Sequence, residues 1–145
     1  MKFMVAFASP KRSRKIVNLA AQNAKALDAE VVIVRVMADP AKVGIVAELI
    51  ATDAPKETAD RQIEEVVGQL QAQGVRASGL LKVGPVADTL VSTAKDLGAD
   101  MVYIGSAPVK PKTFSIAIKD PILHYMVDNC PVPLLVARDV DGEEG

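Results

Sequence analysis

The ten residues Leu97-Gly98-Ala99-Asp100-Met101-Val102-Tyr103-Ile104-Gly105-Ser106 decide the fold. They hold a glycine where a helix should stop, a four-residue apolar run, and a second glycine where a loop should start. A helix stop is what Gly98 supplies best, because glycine enters the left-handed region without a Cβ penalty. Met101–Ile104 is strand-length, and its unbroken hydrophobicity suits a strand covered on both faces.

The same alternation extends in both directions. Phe3–Ala8, Val31–Met37 and Val132–Ala137 are further short apolar runs. Val75–Val83 is more mixed and fits a strand near an edge. Helical stripes lie between them: Ile16, Leu19, Ala20, Ala24 and Leu27; then Ile63, Val66, Val67 and Leu70; then Val86, Leu90, Ala94 and Leu97; then Ile122, Leu123, Met126 and Val127. Ser9-Pro10, Gly84-Pro85 and Asp120-Pro121 each place a cap residue before a proline at a first helical position. Gly74 stands at another helix stop. The order β-α-β-α-β-α-β-α-β predicts a three-layer α/β/α domain over residues 1–138, with a parallel sheet. Residues 38–57 read as a connection in which Val43–Ile50, between Pro40 and Pro55, forms an extra helix or a lid. Residues 139–145 read as an acidic, solvated tail.

Composition narrows the function. The 145 residues hold 17 Lys and Arg against 18 Asp and Glu, a net charge of −1. That balance argues against general nucleic-acid binding, which needs cations to neutralise phosphates. Aromatic residues make up 3%, too few for a base-stacking platform. The apolar fraction of 50% excludes intrinsic disorder. No run approaches the roughly 20 apolar residues of a membrane span, so membrane insertion is not expected. Phe3–Ala8 is shorter than the core of a signal peptide, about 7–15 residues, and reads as the first strand. One cysteine makes no internal disulfide, so a cytoplasmic location is expected.

Ligands of open parallel sheets bind beyond the C-terminal strand ends, where the strand order reverses. That directs attention to the loops after Ala8 and Gly105. The segment Leu97–Ser106 resembles the helix–strand–loop signature of universal stress proteins. The ending Asn129-Cys130-Pro131-Val132-Pro133-Leu134-Leu135-Val136-Ala137-Arg138 is similar to that family's last strand, and Val83-Gly84-Pro85 and the opening strand also fit. The resemblance implies a five-stranded sheet of order 3-2-1-4-5, the adenine nucleotide alpha hydrolase-like fold. It also implies stress-response or regulatory binding, as some members bind ATP or AMP and others do not.

The ATP-binding members carry a fourth loop with a glycine, two residues, a second glycine, nine residues, then a third glycine followed by Ser or Thr. Here Gly105 fits the first position, but Pro108 holds the second. The third falls on Ile118, followed by Lys119, or on Asp120-Pro121 if the loop is longer. Ala8 replaces the acidic residue that commonly ends the family's first strand. Pro108 and Pro121 lack the N–H that a phosphate loop donates. An Asp120 cap would put a carboxylate where a phosphate sits. AMP and ATP are therefore disfavoured, and no cofactor is firmly expected.

Lys11, Arg12, Arg14 and Lys15 follow the first strand, and Lys110, Lys112 and Lys119 the fourth. They read either as solvated surface charges or as side chains that replace the missing loop in an anion site. The candidate crevice comprises Ala8, Ser9, Lys11, Arg12, Val36, Gly105, Ser106, Lys110, Lys119 and Asp120. No catalytic or metal residue is expected: His124 lacks a Gly-x-Ser-x-Gly partner motif, Cys130 reads as an inert thiol, and no zinc spacing occurs. Weak nucleotide hydrolysis, or a small hydrolase or transferase in the same crevice, is the alternative from another class. A regulatory domain beside a transporter or kinase is a third. Val132, Leu134, Leu135, Val136 and Ala137 form an apolar edge, expected to pair with a second copy.

Overall fold

Five residues near the start of the chain take the centre of the sheet. Lys2–Ala6 forms β1, with β2 (Glu30–Met37) on one side and β4 (Met101–Ser106) on the other. β3 (Ala77–Val83) and β5 (Leu134–Arg138) complete a parallel sheet of order β3-β2-β1-β4-β5. The helices are α1 (Arg14–Leu27), α2 (Ala54–Ala72), α3 (Val86–Leu97) and α4 (Pro121–Asn129). This computed structural model describes residues 1–38, 54–106 and 121–138. The extra helix or lid over Val43–Ile50, the loop cations Lys110, Lys112 and Lys119, Asp120 and the acidic tail lie outside the described residues.

Alternation along the strands makes two cores. Phe3 and Val5 point to one face and Met4 to the other, because side chains of a strand change sides at every residue. The first core joins Phe3, Val5, Val31, Ile33 and Tyr103 to Ile16, Ala20 and Ala24 of α1 and Ile63, Val66 and Leu70 of α2. The second joins Met4, Val32, Val34, Val102 and Ile104 to Leu90 and Ala94 of α3 and Met126 of α4. Both faces of β1, β2 and β4 are therefore covered, as their continuous hydrophobicity requires. The rings of Phe3 and Tyr103 meet in the first core at 5.1 Å between centroids. The buried Tyr103 hydroxyl accepts from the Asn23 side-chain amide at 2.9 Å, so it carries no unmet polar group into the core.

Several boundaries differ from the sequence reading. Ser9-Pro10 opens a turn over residues 10–13, and α1 starts only at Arg14. The Ser9 hydroxyl accepts from the Arg12 N–H at 3.1 Å, which holds that turn closed. Pro85 is extended, with ψ 127°, and stands at the cap position of α3, so the first helical residue is Val86. Pro121 opens α4 as expected. Leu27 is 55% exposed, and Val17 and Ala21 complete the buried face of α1 in its place. The chain leaves the helix at Asp28, whose left-handed φ of 55° turns it toward β2 before Leu27 can reach the core. Val132 is not part of the last strand: it lies in a bend ahead of β5 and packs half-buried on the second core. Pro131 and Pro133, which flank it, lack the N–H that a ladder needs.

Candidate functional site

A cavity of about 370 Å3 opens at the C-terminal ends of β1, β2 and β4. This is the switch point, where the connections from β1 and β4 leave in opposite directions. Its apolar walls are Ala6 and Phe7 from β1 and its exit, Val34 and Val36 from β2, Val86 and Leu90 from α3, and Ile104 and Ile122. Arg12 and Arg35 are its only charged lining residues among those described. Among the described residues, chain neighbours aside, only the Ala137 carbonyl comes within 4 Å of where a Cβ on Gly105 of β4 would stand. The bare backbone of β4 thus borders the opening.

The loop after β1 is held by its own serines. Phe7 extends the ladder, its N–H donating to the Val34 carbonyl at 2.8 Å. The Ala8 N–H donates to Ser13 Oγ at 2.8 Å, and the Ser13 N–H donates to the Ser9 carbonyl at 2.9 Å. Ser13 is 4% exposed. With the Ser9 bond to Arg12, three backbone N–H groups of this loop that could cradle an anion, at Ala8, Arg12 and Ser13, are already occupied. An anion at this loop would depend on side-chain cations instead. Arg35 is steadied by Gln62 of α2, whose Oε1 accepts from Nη1 at 3.0 Å.

Of the residues singled out in the sequence, Ala8, Arg12, Val36 and Gly105 come together around this cavity. Ser9 is half-buried and braces the turn, while Lys11 is exposed on it and outside the lining. Ser106 ends β4 and is also outside the lining. Lys110, Lys119 and Asp120 lie outside the described residues. Sequence reasoning missed Ser13 and Arg35. Arg35 carried a signal, as the one charge inside the apolar run Val31–Met37. Ser13 carried none, since its role depends on a bond back to Ala8.

At the β5 edge, Leu134 packs on the second core and Leu135 and Ala137 on the first. Val136 is 39% exposed. Near α4, the Tyr125 hydroxyl donates to Asp88 Oδ1 on α3. That hydrogen bond to a carboxylate raises the Tyr125 pKa above its ordinary 10.0. His124 stands exposed, 3.6 Å from Asp128, and Cys130 is half-buried against the second core. Among the described residues no group of His, Cys, Asp and Glu converges as metal ligands do, and no helix is long and apolar enough to cross a membrane.

The model of the universal stress protein family matches residues 1–138. No curated protein sequence matches the chain. Among solved structures, a universal stress protein family protein from Burkholderia pseudomallei is 19% identical, with 94% of each chain covered and a TM-score of 0.71. The universal stress protein of Archaeoglobus fulgidus in complex with dAMP is 16% identical, covering 94% of this chain and 96% of that one at a TM-score of 0.71. A family protein from Arabidopsis thaliana with AMP bound is 14% identical, covering 99% and 94% at a TM-score of 0.72. At these identities the likeness concerns the fold.

Proposed function

The chain belongs to the universal stress protein family, and on that premise we propose that it is a non-catalytic, cytoplasmic binding domain for a small anionic ligand. The observation that carries this reading is the cavity at the switch point, apolar in its walls and, among the described residues, cationic only at Arg12 and Arg35. Apolar walls with a few convergent polar groups are the usual make-up of a small-molecule site. Two relatives of the same fold hold AMP and dAMP, ligands with a single phosphate. Two guanidiniums suit one phosphate or carboxylate, because their forked donors match its oxygens. A triphosphate needs the glycine loop, which the sequence lacks at Pro108 and Lys119. No described side chains form an acid–base pair in the cavity, which favours binding over turnover.

A thermal-shift panel of AMP, dAMP, ATP and inorganic phosphate, with and without magnesium, tests it. At 100 times its dissociation constant a ligand stabilises by about 2.7 kcal/mol, an easily read change. AMP or dAMP should raise Tm more than ATP does. The effect should weaken in Arg12→Ala, where one charge-assisted hydrogen bond of about 1.5–3 kcal/mol is lost. That corresponds to about ten- to a hundredfold in affinity. A larger response to ATP, or hydrolysis of any nucleotide in the panel, overturns the reading.

A second reading, compatible with the first, is a homodimer through β5. It rests on the position of β5 at the sheet edge with Val136 exposed.

A further inference from the structure

The opposite edge of the sheet holds a second concavity. Its strand, β3, pairs only with β2 among the described residues. The Val31 N–H donates to the Arg76 carbonyl at 2.8 Å, and the Gly84 N–H to the Met37 carbonyl at 2.9 Å. In a parallel ladder one residue turns both polar groups to a neighbouring strand and the next turns both away. Even-numbered residues of β3 therefore face β2, and Ala77, Gly79, Leu81 and Val83 face outward. Among the described residues only Gln71 reaches this edge, its side-chain amide donating to the Ala77 carbonyl at 3.1 Å. From Gly79 to Val83 no described residue meets the outer row of donors and acceptors.

Beside that row runs one line of α2: Asp60, Glu64, Gly68 and Gln71, spaced to share a helix face. A trough of about 290 Å3 lies between this line and Gly79 and Leu81, with Ile63 and Val67 in its walls. Among the described residues Asp60 and Glu64 are its only charged lining groups, and neither is paired with a described cation. The two glycines differ. A Cβ on Gly79 would overlap Ile63 Cγ2, so the contact of α2 with β3 demands a glycine there. A Cβ on Gly68 would meet nothing within 4 Å. Glycine inside a helix is unfavourable relative to alanine, and no contact among the described residues requires it at position 68. A chain passing close over Gly68 supplies the missing requirement.

We propose that the β3 edge is a docking site for an extended, Lys- or Arg-bearing peptide segment of another protein. The segment joins the sheet as a strand beyond β3 and takes its main-chain hydrogen bonds from Gly79 to Val83. Its alternate side chains lie in the trough, where cations meet Asp60 and Glu64. A second copy of this chain fits worse. Two-fold pairing of β3 with its twin sets the two α2 helices side by side on one face, acid row against acid row.

A displayed library of random decapeptides, selected on the full chain, provides the probe. Enriched peptides should carry Lys or Arg at alternate positions. Resynthesised, they should shift the amide resonances of Gly79, Leu81 and Val83 in nitrogen-15 spectra. Glu64→Lys removes the charge match, and Gly68→Gln fills the trough without a clash. Each should weaken binding at least tenfold while melting no lower than the wild type. The proposal is overturned if no peptide enriches, if enriched peptides show no basic excess, or if their shifts fall on Ala8 and Val36 instead. Equal binding to both variants overturns it too, as do the same edge shifts on raising protein concentration alone.

Discussion

Tyr125 ties α4 to α3 with a single hydroxyl. Because the neutral phenol donates to the Asp88 carboxylate, the bond exists only while the proton is in place. The folded-state pKa is therefore raised above the unfolded one. The sign follows from linkage: the stabilisation is fully present below the ordinary tyrosine pKa of 10.0 and is lost as pH rises through the higher folded value. We expect the ring-carbon NMR titration of Tyr125 to have its midpoint above the ordinary value. In Asp88→Asn the midpoint should fall toward it, since the charge that opposes ionisation is gone. An unchanged midpoint in that variant would remove the hydrogen bond as the cause. His124, one position away, contributes no such tie, as its 3.6 Å approach to Asp128 is an exposed i,i+4 pair of little energetic consequence.

Helix α2 shows how two glycines in contact with one trough act in opposite directions. At Gly79 an alanine methyl meets Ile63 Cγ2, and a β-branched residue on a helix has little rotamer freedom to yield. Gly79→Ala should cost about 1–3 kcal/mol, the usual range for overpacking. Gly68→Ala should stabilise by up to about 1 kcal/mol, the propensity difference in a helix interior. Urea unfolding of both variants checks the pair, and a loss of stability in Gly68→Ala would contradict the open space seen above it. Elements themselves were legible where periodicity was strong. The apolar runs Val31–Met37, interrupted only by Arg35, and Met101–Ile104 emerged as inner strands, and the mixed Val75–Val83 as an edge strand from Ala77 onward. Boundaries were less so. Proline at Pro10 and Pro85 suits a turn or a cap position as well as a first helical residue, and the sequence signal does not separate these. The switch-point loops were located from strand order, and Ala8, Arg12, Val36 and Gly105 follow from it. Ser13 was not legible, because a serine's hydrogen bond five residues back leaves no spacing pattern.

At the scale of the whole molecule the two edges of the sheet are chemically unlike. β3 carries the acidic trough, whereas β5 presents Val136, and Val127 is exposed on α4, which packs on the same side of the sheet. An apolar edge without cover invites association. Size-exclusion chromatography with light scattering at micromolar concentration should give a dimer, and Val136→Asp should give a folded monomer whose Tm no longer depends on protein concentration. A monomeric wild type would remove this reading and leave the β3 trough untouched.

The central place of β1 has a consequence for the nascent chain. β1 is made early, yet one of its two neighbours is β4, which starts at Met101. On the ribosome β1, β2 and β3 can pair as soon as Val83 has emerged, but the far side of β1 stays bare until Met101–Ser106 follows. Translation proceeds at about 5–20 residues per second, so this interval is on the order of seconds. During it the chain offers Phe3–Val5 to any passing strand. Holding such a half-sheet apart from its neighbours is the kind of task that chaperones perform.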